Sequence, residues 1–316
     1  MAAPVNTTTA NSLVGMREDL SDMIWNIDPY ETPFLTASPK IKAKARYVEW
    51  QTDVLASATA DNAHIEGDDS VAEAFTATVR VGNRTQIFKK VVQVSRTADV
   101  VDKAGRAGEM AYQILKRTRE IKLDMEAAMF ANQAQVTGSS TVAPRLAGLG
   151  SWVSTNVNNV GGGGSNPVGA NGTAARTDGS QTAFIQDDFD LTMQEIWLEG
   201  GKPDRVYLSA FQMDAALAFT GNNAQRNTTT VGKVQNVLDI YVTPWGKVEF
   251  VPCRQNRSRD VWIIQTDMVA VATLDALKNE ELAKTGDSEK RQLVSEITMC
   301  VKNEQALGLV ADCTTS

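Results

Sequence analysis

The longest regular pattern of apolar and polar positions runs from Gly105 to Gln133, GRAGEMAYQILKRTREIKLDMEAAMFANQ. Met110, Ile114, Ile121, Met125 and Ala128 recur at steps of three, four and seven, with Leu115, Thr118 and Met129 beside them, which makes one stripe at helical period. Lys116, Arg117, Arg119, Glu120, Lys122, Asp124 and Glu126 occupy the rest of the circumference. The pattern predicts one helix over 105–133, roughly 40 Å long at a rise of about 1.5 Å per residue. A helix that long with one narrow stripe lies across a sheet and turns its other face to solvent or to another subunit. An ordinary surface helix of a globular domain carries the same pattern.

Upstream, residues 1–12 are polar and Thr-rich, and read as extended or, in the chain alone, disordered. A short helix follows, with Leu20, Ile24 and Ile27 in line and Met16 and Met23 near them, stopped by Asp28-Pro29. Thr32-Pro33-Phe34 starts another short turn. From Arg46 to Thr97 the period changes to two: RYVEWQTDVL, FTATVRVGN and TQIFKKVVQVSRT all alternate. Residues 56–74, between the first two runs, carry no apolar pattern, and a loop of that length in a compact domain is usually functional. The whole reads as two long strands carrying an acidic tip away from the body.

Downstream of the helix, residues 135–183 are rich in Gly, Ser, Thr and Asn, with only Arg145–Trp152 (RLAGLGSW) offering anchors. The remainder, near 155–182, reads as a flexible surface loop. From Phe184 to Leu282 helices and strands mix. DDFDLTMQEIWLEGG is a helix with Phe189, Met193, Ile196 and Trp197 inward and Asp187 or Asp188 as its cap; AFQMDAALAF is a helix capped by Ser209. PDRVYLSA is a strand, residues 222–234 are polar and read as mobile, and Val237–Pro252 is a hairpin turning at Pro244-Trp245-Gly246. An apolar strand run then follows in two parts, Val261 to Ile264 and Val269 to Leu274. KRQLVSEITMCVKNEQALGLVADC closes the chain as a strand pair of one sheet, turning at Asn303-Glu304-Gln305.

Composition narrows the function classes. With 316 residues, 42% hydrophobic and 22% charged, the chain has a globular composition of one large or two smaller domains. A net charge of -7 argues against binding nucleic acid through a broad basic face. No apolar run reaches membrane-spanning length, and the N-terminus lacks the basic and apolar regions of a signal peptide. Cys253, Cys300 and Cys313 are widely spaced and odd in number, which fits buried thiols in a reducing compartment. His64, the single histidine, sits in the acidic DNAHIEGDD stretch; its carboxylates lack EF-hand spacing and read as a solvated loop. The glycines at 161–164 are followed by neither a helix nor a Lys, so they form no phosphate cradle.

The order of arm, acidic-tipped hairpin, long helix, mixed region and closing strands resembles the major capsid proteins of tailed bacteriophages, with the Hong Kong 97-type fold. MREDLSDMIWNIDPYETPF, YVEWQTDVL and DNAHIEGDD resemble the start of one subgroup of them, in which REDL, TPF, an EW pair and an EG dipeptide recur in that order. The resemblance implies an α+β fold with five parts. These are an N-terminal arm over 1–45 that crosses to a neighbouring subunit and an extended hairpin loop over 46–97 that lies on the adjacent subunit. A peripheral domain takes 98–144 and 283–316, with the helix 105–133 as its spine, and an axial domain takes 145–282. It implies self-assembly into hexamers and pentamers around double-stranded DNA, in the virion, after assembly in the host cytoplasm. The implied partners are a separate scaffolding protein (the chain opens directly on the arm, or on a region already trimmed), a portal at one vertex and a decoration protein, with no cofactor, metal or membrane. Cross-linking of subunits by a Lys–Asn isopeptide bond, known in some members, finds no matching pair of positions here. Acidic Glu66, Asp68 and Asp69 at the loop tip suit docking onto Lys89, Lys90, Arg106, Arg117 or Arg119 of a neighbour, with Trp50 as a further contact. Two rival readings are a tail or head-decoration protein, which would lack the long helix, and a hydrolase using paired carboxylates, for which no convergent set of titratable groups stands out.

Overall fold

The computed structural model describes residues 29–219 and 240–315, apart from positions 68, 70, 71, 73, 102 and 104–107. The described strands form three sheets. A four-stranded sheet is ordered β1 (Lys40–Lys42), β10 (Val269–Leu282), β11 (Ser288–Val301), β4 (Gln86–Ser95). A six-stranded sheet is ordered β5 (Val157–Asn159), β12 (Leu307–Ala311), β9 (Val261–Ile264), β6 (Arg205–Leu208), β8 (Gly246–Pro252), β7 (Ile240–Thr243). β2 (Tyr47–Thr52) and β3 (Val79–Arg84) pair with each other alone. Five helices complete the described chain: α1 (Pro33–Ala37), α2 (Arg96–Val100), α3 (Glu109–Phe130), α4 (Gln186–Leu198) and α5 (Ala210–Leu217).

The long helix is α3, packed on β4 and β11. It is shorter than the 105–133 expected from periodicity. Positions 105–107 lie outside the described residues, and the C-terminal end stops at Phe130, with Ala131 in extended conformation. The stop has a steric and a polar cause. Gly148 passes so close that a Cβ there would lie 1.9 Å from the Ala131 carbonyl oxygen. Asn132 and Gln133 then spend their side-chain amides on the carbonyls of Arg176 and Leu146, at 2.8 and 3.0 Å. All the fully buried residues of α3 (Ile121, Met125, Glu126, Met129 and Phe130) lie in its second half. Glu126, expected on the polar face, is therefore part of the core.

The segment before the hairpin is not a free arm throughout. α1 inserts Phe34 between Phe130 and Tyr207, with ring centroids at 5.0 and 5.5 Å, and β1 runs parallel to β10 from Lys40↔Val271 to Lys42↔Thr273. Residues 33–43 of the expected arm 1–45 are thus built into the chain's own body. The hairpin is also narrower than 46–97. β2 and β3 pair from Tyr47↔Arg84 to Thr52↔Val79, and Thr85 N–H to the Arg46 carbonyl at 2.9 Å closes the base. Residues 75–78 alternate in sequence but form no strand. β4 leaves the hairpin and pairs along its length with β11, from Gln86↔Ile297 to Ser95↔Ser288.

The sequence division at 282/283 does not follow the sheets. The apolar run splits at Thr266–Met268: β9 belongs to the six-stranded sheet, whereas β10 crosses to the four-stranded one. The expected closing pair splits as well. β11 pairs with β10 and β4, while β12 sits between β5 and β9. All five residues of β12 are buried, which fits a strand with neighbours on both edges and α4 against its face.

Three local expectations also change. Asp187 and Asp188 occupy the first turn of α4, where they face the positive end of the helix dipole, but no side chain caps it. Trp197 is 52% exposed instead of inward. The Ser209 hydroxyl donates to the Ser258 carbonyl at 3.4 Å and does not cap α5. The hairpin β7–β8 pairs from Ile240↔Glu249 to Thr243↔Gly246, with residues 237–239 and the polar stretch 222–234 outside the described residues. The Gly-rich segment is held to the body: Val160 N–H bonds the Ala311 carbonyl at 3.2 Å, and Ser165 and Thr177 exchange backbone hydrogen bonds at 3.0 and 2.9 Å. Its turn uses Gly162 and Gly163 at φ +69° and +76°, conformations that favour glycine.

Candidate assembly interface

The residues expected to meet a neighbour divide into two groups. Trp50 stacks on Trp152 of its own chain at 5.3 Å and is half-buried, so it anchors the hairpin on the body. Lys90 bonds Asp124 on α3 at 2.7 Å, tying β4 to the long helix. Arg117 pairs with Glu120 one turn on, and Arg119 lies over the Tyr30 ring at 4.7 Å. Four of the expected contacts thus have partners within their own chain. Lys89, Glu66 and Asp69 are exposed, the latter two around a turn that uses Gly67 at φ +85°. Asp68 and Arg106 lie outside the described residues. His64 bonds the Asn62 side chain at 2.9 Å, and among the described residues no three His, Cys, Asp or Glu side chains converge as a metal site.

The loop beyond the hairpin, residues 53–78, exposes apolar side chains more than its acidic tip suggests. Val54, Leu55, Ile65 and Phe75 are 68%, 94%, 82% and 91% exposed. Covering such a side chain fully is worth roughly 1.5–3 kcal/mol. A matching feature lies on the body. β4 is an edge of its sheet, so one row of its backbone groups lacks a strand partner. Between that edge, α2 and the half-buried start of α3 runs a groove of about 790 Å³, lined by Val92, Val94, Val101, Lys103, Gln113 and Arg117.

Two buried polar constellations went unread in the sequence. Glu126 accepts from the Leu35 N–H at 3.1 Å and from the Cys253 thiol at 3.2 Å. Burial holds its pKa above the ordinary glutamate range despite those donors. Burial also pushes the Cys253 thiol up to about 12, so the sulfur keeps its proton and donates it to the carboxylate. The second constellation joins the Gly-rich segment to the end of β12. Arg176, 4% exposed, bonds Asp312 at 2.8 Å and Asp178 at 2.9 Å. Arg257 pairs with Asp260 at 2.9 Å and with Asp178, and Arg259 reaches Asp312 at 2.7 Å. Burial pushes the Asp260 pKa up to about 6 against the pull of Arg257 and Arg176. The Asp312 pKa is lowered: burial raises it, but the Arg176 hydrogen bond and charge outweigh that. A wider stripe including Met129 and Phe130 would have exposed Glu126 as inward-facing. No local signal marks Arg176 or Asp312, which are 136 positions apart.

The family model for the SU10 major capsid protein matches residues 3–314. The chain belongs to this family. As a capsid protein it is 28% identical over 331 residues to the major capsid protein of Escherichia phage Phieco32, covering 94% of each chain. The capsid asymmetric unit of Cyanophage A-1(L) superposes with a TM-score of 0.64 at 12% identity, covering 98% of this chain and 99% of that one. A Phage G structure of gp27 major capsid proteins and gp26 decoration proteins gives 0.56 at 12% identity, covering 99% and 100%. The α+β capsid protein has the Hong Kong 97-like fold and forms the icosahedral shell of a phage virion.

Proposed function

We propose that residues 53–78 of one copy lie in the β4–α2–α3 groove of the next, and that this contact closes hexameric and pentameric capsomers. The observation that carries this reading is the pairing of a loop that exposes Val54, Leu55, Ile65 and Phe75 with an open strand edge beside a groove, both on one chain. Charge supports it: Glu66 and Asp69 of the loop meet Lys103 of the groove, with Lys89 exposed on the same strand as its floor and Glu109 the acidic residue of the lining. Such rim pairs set register more than affinity. The four-stranded sheet with α3 acts as the peripheral domain and the six-stranded sheet as the axial domain, while the N-terminal arm reaches a neighbour. The protein works as a structural subunit rather than an enzyme. Its assembly in the host cytoplasm uses a separate scaffolding protein, leaves a portal at one vertex and accepts a decoration protein outside. Double-stranded DNA fills the interior without sequence-specific contacts; the net charge of -7 keeps the shell from gripping it by counterion release.

The test is the Leu55→Asp, Phe75→Asp double variant, co-expressed with its scaffold and imaged by negative-stain electron microscopy. Circular dichroism unchanged from the parent with no closed shells is the expected result. Normal shells from this variant would overturn the proposed contact.

A further inference from the structure

The edge of the four-stranded sheet opposite β4 is formed by β1, and it opens a basic segment. Lys40, Lys42, Lys44 and Arg46 recur at every second position, and no Asp or Glu occurs between Glu31 and Glu49. All four cations are exposed. Among the described residues none of the four forms an ion pair, whereas Arg80, Lys90, Arg96 and Arg117 each hold a carboxylate. The alternation explains their exposure. Ala43 packs on Ala270, Ala272 and Cys300, and its N–H bonds the Thr273 carbonyl at 2.9 Å. Small residues thus fix the strand to the sheet, and Lys40 and Lys42 fall on its opposite face.

We infer that this edge is where the subunit touches packaged double-stranded DNA, through phosphates and not through bases. The inference rests on the reading that DNA fills the shell. At a strand rise of about 3.3 Å per residue, residues 40–44 span roughly 13 Å. One DNA strand carries a charge about every 3.4 Å along the axis, so a run of that length lies beside about four phosphates. Three of the four cations are lysines, point charges on flexible stems that adapt to a phosphate track without reading sequence. Lysines on a sheet edge also oppose the addition of another strand, which disfavours a second copy pairing there. Ala43 and Ala45, between the cations, give an acidic protein segment little apolar surface to anchor on. The chain carries -7 with these four charges included, so the contact is a narrow line and not a broad basic face. It is separate from the contact proposed for residues 53–78 and does not depend on it.

Amine footprinting tests the inference in assembled particles. DNA-filled virions, and the same particles emptied by osmotic shock, are treated with a small amine-reactive ester, and labelling of each lysine is read by mass spectrometry. Lys40, Lys42 and Lys44 are expected to label several-fold less in the filled particles than in the emptied ones. Equally strong labelling in both would overturn the inference, and so would equally weak labelling, which would put a protein partner on the edge. Particles whose absorbance shows no DNA before the shock would overturn the reading of a DNA-filled shell, and this inference with it. As an independent readout, capsomers carrying Lys40→Gln, Lys42→Gln and Lys44→Gln are titrated with a short duplex of arbitrary sequence at a series of salt concentrations. Losing three phosphate contacts should reduce the slope of log affinity against log salt by about 2.7. A slope equal to that of the parent counts against the inference.

Discussion

At the scale of single residues, buried carboxylates hold the joints of this subunit. Glu126 connects α1, α3 and the segment after β8 through the Leu35 N–H and the Cys253 thiol. Its folded pKa is raised, so the fold favours its protonated form. The corresponding stability is present below the ordinary glutamate pKa and is lost as pH rises through the raised value. Glu126→Gln should therefore melt like the parent at acid pH and progressively above it as pH climbs, because a neutral amide still accepts from Leu35. Glu126→Ala leaves that N–H unpaired and should cost about 1–3 kcal/mol from the hydrogen bond alone. Urea titrations from pH 4 to 8 check both. The Arg–Asp cluster titrates in opposing senses. Asp260, raised to about 6, adds stability on the acid side that fades as pH passes that value. Asp312, lowered, adds stability above the ordinary aspartate pKa that fades as pH falls through its depressed one. Asp312→Asn leaves Arg176 buried without its closest counter-charge and should cost about 3–5 kcal/mol. Asp260→Asn should flatten the pH dependence near 6 at little cost above it.

At the scale of elements, what could be read from the sequence was what local periodicity encodes. α3, β2, β4 and the β7–β8 hairpin announce themselves because their burial alternates at the period of their own backbone. Their ends and partners were less legible. α3 stops at Phe130 because Gly148, far along the chain, occupies the space of the next turn. β12 reads as the partner of β11 because the two are close in sequence; its fully apolar pattern instead marks a strand with two neighbours. The Gly-rich segment looks mobile by composition, yet Arg176 and Asp178 fix it through charges just after β12 and on the loop before β9. Of the expected contact residues, Glu66, Asp69 and Lys89 keep the exposure an interface needs, whereas Trp50, Lys90, Arg117 and Arg119 have partners in the chain's own body. Two consequences follow for the elements. Gly148→Ala must displace the Ala131 carbonyl and should lower stability by about 1–3 kcal/mol in chemical denaturation. Trp50→Ala removes the Trp152 stack and should speed proteolysis within 47–84, while amide exchange of the β4–β11 ladder stays slow.

At the scale of the whole molecule, one set of apolar side chains is buried around α1, α3 and the two large sheets. A second set, Val54, Leu55, Ile65 and Phe75, stands exposed on residues 53–78 beyond the β2–β3 base, which Trp50 holds to the body. The proposed contact would use that second set, covering it on an adjacent copy. The β4 edge and the groove beside it offer that copy both hydrogen-bonding backbone and apolar floor. The most direct measurement is an electron cryo-microscopy map of the assembled shell at side-chain resolution. It is predicted to show residues 53–78 of each subunit lying along β4 of the adjacent one, with Leu55 and Phe75 covered by the groove. A map in which that groove is open to solvent, or in which the loop folds back on its own subunit, would contradict the account.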